Sequence, residues 1–274
     1  MIKNLVSLFA IGMFSLGAQA GSDMDSNHGG DIKSERSMKV EAHKLSGKKV
    51  HWSYKGFSGP KNWSELSEDY ALCGEGENQS PINISATAER QLDSIMFHYN
   101  PSPVRAINNG HTVQVNYAPG SYMEVGGRKY NLLQFHFHTP SEHVINGSQA
   151  EMELHFVHKS NDGHTAVVAV MLEAGKANRN LGALWGILPE TVDQETYADG
   201  RMMNAADLLP DTHGYYHYRG SLTTPPCSEG INWFVMQDVV TLSQRAIAKF
   251  HSVVGENARP VQQLHARIPM RVSQ

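Results

Sequence analysis

Two short stretches of this sequence carry residues spaced for metal chemistry. In Gln134-Phe135-His136-Phe137-His138, side chains alternate on a β-strand, so Gln134, His136 and His138 share one face and Phe135 and Phe137 the other. Two imidazoles at i and i+2 can converge on one ion. In Glu153-Leu154-His155 the same alternation sets Glu153 beside His155, with Leu154 and Phe156 opposite. Between the runs lies Asn146-Gly147, a hairpin-turn dipeptide that lets the two strands pack side by side. Three histidines with no fourth protein ligand describe a catalytic zinc site; structural zinc is closed by four ligands, usually including cysteine. Gln134 and Glu153 each precede a ligand by two residues, placed to accept its spare ring N–H and fix its orientation. An H-x-H on a strand means little alone, and the metal reading rests on its combination with E-x-H.

The elements that must position these residues are mostly strands. Alternation predicts strands over 112–117, with Val113, Val115 and Tyr117 on one face, then 122–125, 129–139, 151–159, 165–173, 215–219 and 231–236. Residues 122–125 are expected to return antiparallel across the turn Ala118-Pro119-Gly120, and Gly126-Gly127 marks the next turn. Ser243 reads as the N-cap of a helix carrying Ala246, Ile247, Phe250, Val253 and Val254 on one side up to Gly255. A second helix is expected near 178–188 and a short one within 33–45. The fold class is α+β, mainly β: a single domain, residues 48–274, on a large, mostly antiparallel twisted central sheet with peripheral helices.

The 274 residues suffice for one large domain, and 40% hydrophobic with 18% charged residues is ordinary for a globular chain. A net charge of -4 gives no basic face for nucleic acid. Fifteen histidines tilt the expectation towards a metal or proton-transfer site. Residues 1–20 read as a signal peptide: Lys3, an apolar run over 5–17 and the small-x-small site Ala18-Gln19-Ala20. That run, broken by Ser7, Gly12 and Ser15, is too short to span about 30 Å of hydrocarbon. No cysteine follows the site to take a lipid, so no membrane anchor is expected after cleavage. Residues 21–47 lack aromatics and read as a flexible linker. Cys73 and Cys227 are the sole cysteines; export favours a disulfide between them, with two buried thiols as the alternative.

Taken together, these residues resemble the α-carbonic anhydrases. The resemblance is carried by the two histidine runs, Trp52-x-Tyr54, Asn78-Gln79-Ser80-Pro81-Ile82, Asn108-Asn109-Gly110-His111, Ser141-Glu142-His143 and Ser221-Leu222-Thr223-Thr224-Pro225-Pro226. They run in family order from residue 51 to Arg259-Pro260. Thr139 departs from the pattern, standing after His138 where many members carry Trp.

The resemblance implies zinc-dependent reversible hydration of CO2 to bicarbonate and a proton by attack of zinc-bound hydroxide, with weak esterase side activity. It implies Zn2+ on His136, His138 and His155, and Thr223 as the orienting hydroxyl, donating to Glu142. Val157, Val167, Leu222 and Trp233 would line the CO2 pocket, and Val157 also shares the strand face of His155. Thr224 would hold bicarbonate, His111 would shuttle protons, and Tyr54 and Asn109 would line the water chain to it. His143 reads as a buried structural histidine. The disulfide Cys73–Cys227 matches secreted members, the bacterial periplasm is the expected address, and a homodimer is possible. Competing readings are a binding module of the same fold, a zinc esterase or protease, and a zinc-storage protein. All three ligands, Glu142 and Thr223 are present, which argues against the first; no H-E-x-x-H occurs, which argues against a protease.

Overall fold

The structure is a computed structural model that describes residues 50–273. The expected signal peptide at 1–20, the linker at 21–47 and the short helix within 33–45 lie outside the described residues. The centre is a thirteen-stranded sheet. Its main path runs Glu195–Met203, Ser102–Asn108, Val113–Asn116, Arg128–His138, Met152–Lys159, Thr165–Ala174, Glu229–Met236, Tyr215–Ser221, Met270–Val272 and Ala88–Glu89. Most neighbours are antiparallel; Thr165–Ala174 runs parallel to Glu229–Met236. Each strand expected from alternation is present within a residue or two of its bounds.

Tyr122–Val125 pairs differently from expectation. It does not fold back on Val113–Asn116 but pairs with Arg128–His138 and Met96–His98. Gly126 and Gly127, at φ 58° and 68°, form the tight turn after it, and two positive φ values in a two-residue loop close a hairpin. Asn146 and Gly147, at φ 51° and 80°, do the same between Val144–Ile145 and Ser148–Gln149.

The strand alternation divides the molecule. Phe135, Phe137, Leu154, Phe156, Val168 and Val170 are fully buried in the main core on one face of the sheet. Truncating a buried Phe of this kind costs about 3–5 kcal/mol. Helix Gln244–Val254 covers that face with Ile247 and Phe250, and Ser243 caps it by accepting from Ala246 N–H. The helix expected near 178–188 is reduced to a 3-10 turn, Arg179–Leu181, and five residues, Gly182–Gly186. Its two glycines disfavour propagation, and Leu184 and Trp185 hold it by burial instead. The opposite face carries the histidines and a smaller cluster of Val167, Ala169, Trp233, Tyr218 and Ile82. A satellite cluster of Trp63, Cys73 and Cys227, with Trp52, Tyr54, Leu66 and Tyr70, packs at the chain's N-terminal end. Cys73 and Cys227 are disulfide-bonded.

Candidate metal centre

The register builds the centre. His155 lies directly opposite His136, and Glu153 opposite His138, on adjacent antiparallel strands. Ring centroids stand 5.1 Å apart for His136–His138, 5.3 Å for His136–His155 and 4.6 Å for His138–His155. One ring nitrogen from each lies within 4.8 Å of those of the other two. His138 and His155 are buried; His136 is partly open to solvent.

Each ring's second nitrogen is engaged by an acceptor, which fixes its tautomer. His136 Nδ1 donates to Gln134 Oε1 at 2.8 Å, and His155 Nε2 to Glu153 Oε1 at 2.7 Å. His138 Nδ1 donates to the Asn257 carbonyl at 2.7 Å. That leaves His136 Nε2, His138 Nε2 and His155 Nδ1 with lone pairs to offer. Burial, joined for His136 by the neighbouring His138 and His155, lowers all three pKa values, so the rings are neutral near pH 7. His138 Nε2 is a buried nitrogen with no hydrogen-bond partner, a state that normally costs about 1–3 kcal/mol. Three neutral imidazoles aimed inward, one of them otherwise orphaned, are the donor set of a divalent borderline-soft cation.

Glu153 anchors this set. Its Oε2 accepts from the Glu142 and His143 amides at 2.7 and 2.8 Å, and its Oε1 from His143 Nδ1 and His155 Nε2 at 2.6 and 2.7 Å. Burial pushes this carboxyl up, but His143 and His155 outweigh it and hold its pKa well below the usual range. His143 passes its other nitrogen to Tyr218, whose hydroxyl donates to Nε2 at 2.6 Å. His143, Glu153 and His155 also cluster closely enough to suggest a second ion site, yet their short contacts are hydrogen bonds that need protons between them.

Glu142 sits under the histidines. Its Oε1 accepts from Arg259 N–H at 2.9 Å, and its Oε2 is buried 3.5 Å from His138 Nε2 and 4.0 Å from His155 Nδ1. Burial pushes its pKa up to about 7, against the opposing pull of His155 and the Thr223 hydroxyl. Thr223 is buried on the loop after Tyr215–Ser221. The Leu222 N–H bonds to Ser228 O at 3.0 Å and the Cys227 N–H to Thr224 O at 2.9 Å, which closes this turn.

Val157, Val167, Leu222 and Trp233 belong to one apolar cluster on the histidine face. Val157 pairs with Val167, Val167 with Trp233, and the Trp233 ring lies 4.9 Å from that of His155. His111 stands at the rim, stacked on Trp52 and half-buried. Asn109 shapes its turn: Oδ1 accepts from the His111 and Thr112 amides at 3.0 and 2.9 Å. Tyr54 packs edge-on against Trp52 and Trp63, with its pKa raised by burial and then by Glu142.

A match to the model of eukaryotic-type carbonic anhydrases spans residues 58–271. The chain belongs to the α-carbonic anhydrase family. It is 45% identical over 224 residues to a carbonic anhydrase of Neisseria gonorrhoeae, covering 81% of this chain and 88% of that one. A carbonic anhydrase of Pectobacterium carotovorum is also 45% identical, over 80% of this chain and 90% of the relative. The α-carbonic anhydrase of Thermovibrio ammonificans, solved with the inhibitor sulfanilamide, superposes with a TM-score of 0.79 at 41% identity, covering 81% of this chain and all of that one. The family reaction is the reversible hydration of CO2 to bicarbonate and a proton, and this carbonic anhydrase is an enzyme of that class.

Two residues of the centre have no role assigned from the sequence: Asn257, and Arg259, which enters there only as the end of the family resemblance. Asn257 supplies the acceptor for His138, accepts from Thr139 N–H at 2.7 Å through Oδ1, and donates Nδ2 to the His111 and Phe137 carbonyls. Arg259 is buried, with its guanidinium donating to Gln79 Oε1, Ser80 O and Cys73 O and its amide to Glu142. Burial lowers its pKa to about 10, so it stays cationic. Thr139, directly after His138, uses its hydroxyl to donate to Glu151 O at 3.2 Å.

Proposed function

We propose that His136, His138 and His155 hold one Zn2+ and that this chain hydrates CO2 at it. The observation that carries this reading is three neutral imidazoles with their lone pairs turned inward, each held from behind by Gln134, Asn257 or Glu153. Zinc bound there supplies Lewis acidity, lowering the pKa of a coordinated water to about 7. Each remaining role falls to a side chain. Ionised Glu142 can only accept, and it draws the Thr223 proton towards itself, so the Thr223 oxygen lone pairs face the reacting oxygen and orient it towards CO2. Val157, Val167, Leu222 and Trp233 give an uncharged substrate an apolar wall and keep bulk water from it. Thr224 offers a polar contact for bicarbonate. His111 takes the released proton outwards, past Tyr54 and Asn109.

The same centre attacks activated esters weakly. The disulfide and the leader-like first twenty residues support export to the periplasm, and among the described residues no helix is long and apolar enough to cross a membrane. A homodimer is compatible with this reading. Stopped-flow CO2 hydration paired with metal analysis tests the function: one zinc per chain and activity lost on chelation are expected. Active protein without stoichiometric zinc would overturn it.

A further inference from the structure

A concavity lies on the Phe137 side of the sheet, away from the histidines. It is a cleft of about 340 Å3 between the segment 177–186 and helix Gln244–Val254. Leu181, Trp185 and Leu242 form its floor, each belonging to the main core. Trp185 meets Phe137 edge-on at 5.2 Å and is fixed by donating Nε1 to Ala246 O at 2.8 Å. Gly182 and Gly186 face open space in the cleft, since a Cβ at either would meet nothing within 4 Å. Glycine is a poorer helix former than alanine, and here the space beside it is a groove rather than packed core.

The lining is electrically one-sided. Arg245 and Lys249, one helical turn apart, stand on one wall, and no carboxylate lines the cleft although the chain is net negative. Lys249 Nζ donates to Trp185 O at 2.7 Å, which pins the ammonium at the cleft and leaves two of its protons for another acceptor. The Arg245 side chain makes no hydrogen bond or ion pair among the described residues, so its forked donors are available to a carboxylate. Small-molecule sites are mostly apolar clefts of about 300–1,000 Å3 with a few placed polar groups, and this one has that make-up at the lower end of the range.

We infer that this cleft binds a small amphiphilic carboxylate, its apolar part on Leu181, Trp185 and Leu242 and its carboxylate on Arg245 and Lys249. The charge complementarity selects an anion over a neutral molecule of the same length.

The test is calorimetric titration of octanoate, below its micellar range, into the full protein with and without EDTA, so that a metal-held carboxylate is distinguished. Octanol is titrated as the uncharged control. One saturable site per chain is expected, unchanged by EDTA, with octanol at least tenfold weaker. Arg245→Glu should weaken octanoate tenfold or more, and Gly182→Leu, which fills the groove, should abolish binding. Thermal melts establish that both variants fold, and both should hydrate CO2 at the wild-type rate. The inference is overturned by absence of saturable binding, by octanol matching octanoate, by loss of the signal with EDTA, or by undiminished affinity in the folded variants.

Discussion

The imidazole of His111 lies flat on the indole of Trp52, with ring centroids 3.7 Å apart and planes 5° from parallel. The stack fixes where the ring stands, and the His51 ring lies 6.5 Å from it. Burial, then the neighbouring His51, lowers the His111 pKa below its ordinary 6.5.

If His111 relays the proton, His111→Ala should slow turnover in weak buffer by one to two orders of magnitude, about the size of a lost acid–base step. Added imidazole should restore the rate. Stopped-flow rates across buffer concentrations read this directly; identical rates at every concentration would remove the role. Because the neutral ring accepts the proton, the acidic limb of turnover should fall below pH 6.5. His51→Gln removes a like charge and should move that limb upwards.

Thr223→Val keeps the volume and deletes the hydroxyl. CO2 hydration should drop by about 100-fold, comparable to other lost hydrogen-bonding steps, while zinc content stays at one per chain. Glu142→Gln should act in the same direction, because an amide no longer compels the Thr223 proton to face it. A variant that lost its metal instead would reassign both residues to holding the site together.

Removing zinc should lower thermal stability as well as activity. A ligand present at 1,000 times its dissociation constant stabilises the fold by about 4 kcal/mol, so scanning calorimetry should show a clear fall in Tm with chelator. Glu153→Ala should weaken zinc by about 10–100-fold. It also strands two backbone amides and two ring nitrogens that now share one carboxylate, so the variant should melt earlier even without metal.

His158 makes a prediction about acid. It is fully buried, hydrogen-bonded to Tyr99 Oη through Nε2 at 2.6 Å, and burial lowers its pKa from 6.5 to about 3. A depressed histidine is neutral in the native state, so its contribution is complete above pH 6.5 and is lost as pH falls towards 3, where only the unfolded chain takes the proton. At about 1.36 kcal/mol per pH unit, roughly 3 kcal/mol should vanish between pH 6.5 and 4. Urea titrations at both pH values should find this loss in the wild type and a markedly smaller one in His158→Leu.

The histidine cluster was legible because a strand's period of two is written in consecutive residues: Gln134, His136 and His138, then Glu153 and His155. The contacts of Asn257 and Arg259 were not, because these residues reach the centre from a segment without regular structure, more than a hundred positions away, partly through backbone atoms that no side-chain pattern encodes. The turn at Gly126-Gly127 could be read from its dipeptide, but not which neighbour Tyr122–Val125 would choose. The strands Ser102–Asn108 and Glu195–Met203 escaped notice; the second is mostly exposed and broken by a register shift between Tyr197 and Met202, so it carries no clean alternation.

The bond between Cys73 and Cys227 has a reach beyond its own cluster. Cys227 ends the turn that presents Thr223 and Thr224, and Cys73 packs in the same small core as Trp52, on which His111 rests. One covalent brace therefore steadies both the buried Thr223 hydroxyl and the His111 ring stacked on Trp52. In a reducing environment these two stations would loosen together, along with up to about 5 kcal/mol of loop-closure stabilisation. The oxidising power of the surroundings is in that sense a condition of catalysis, and titrating activity against reduction potential should give a single step that coincides with cleavage of this bond.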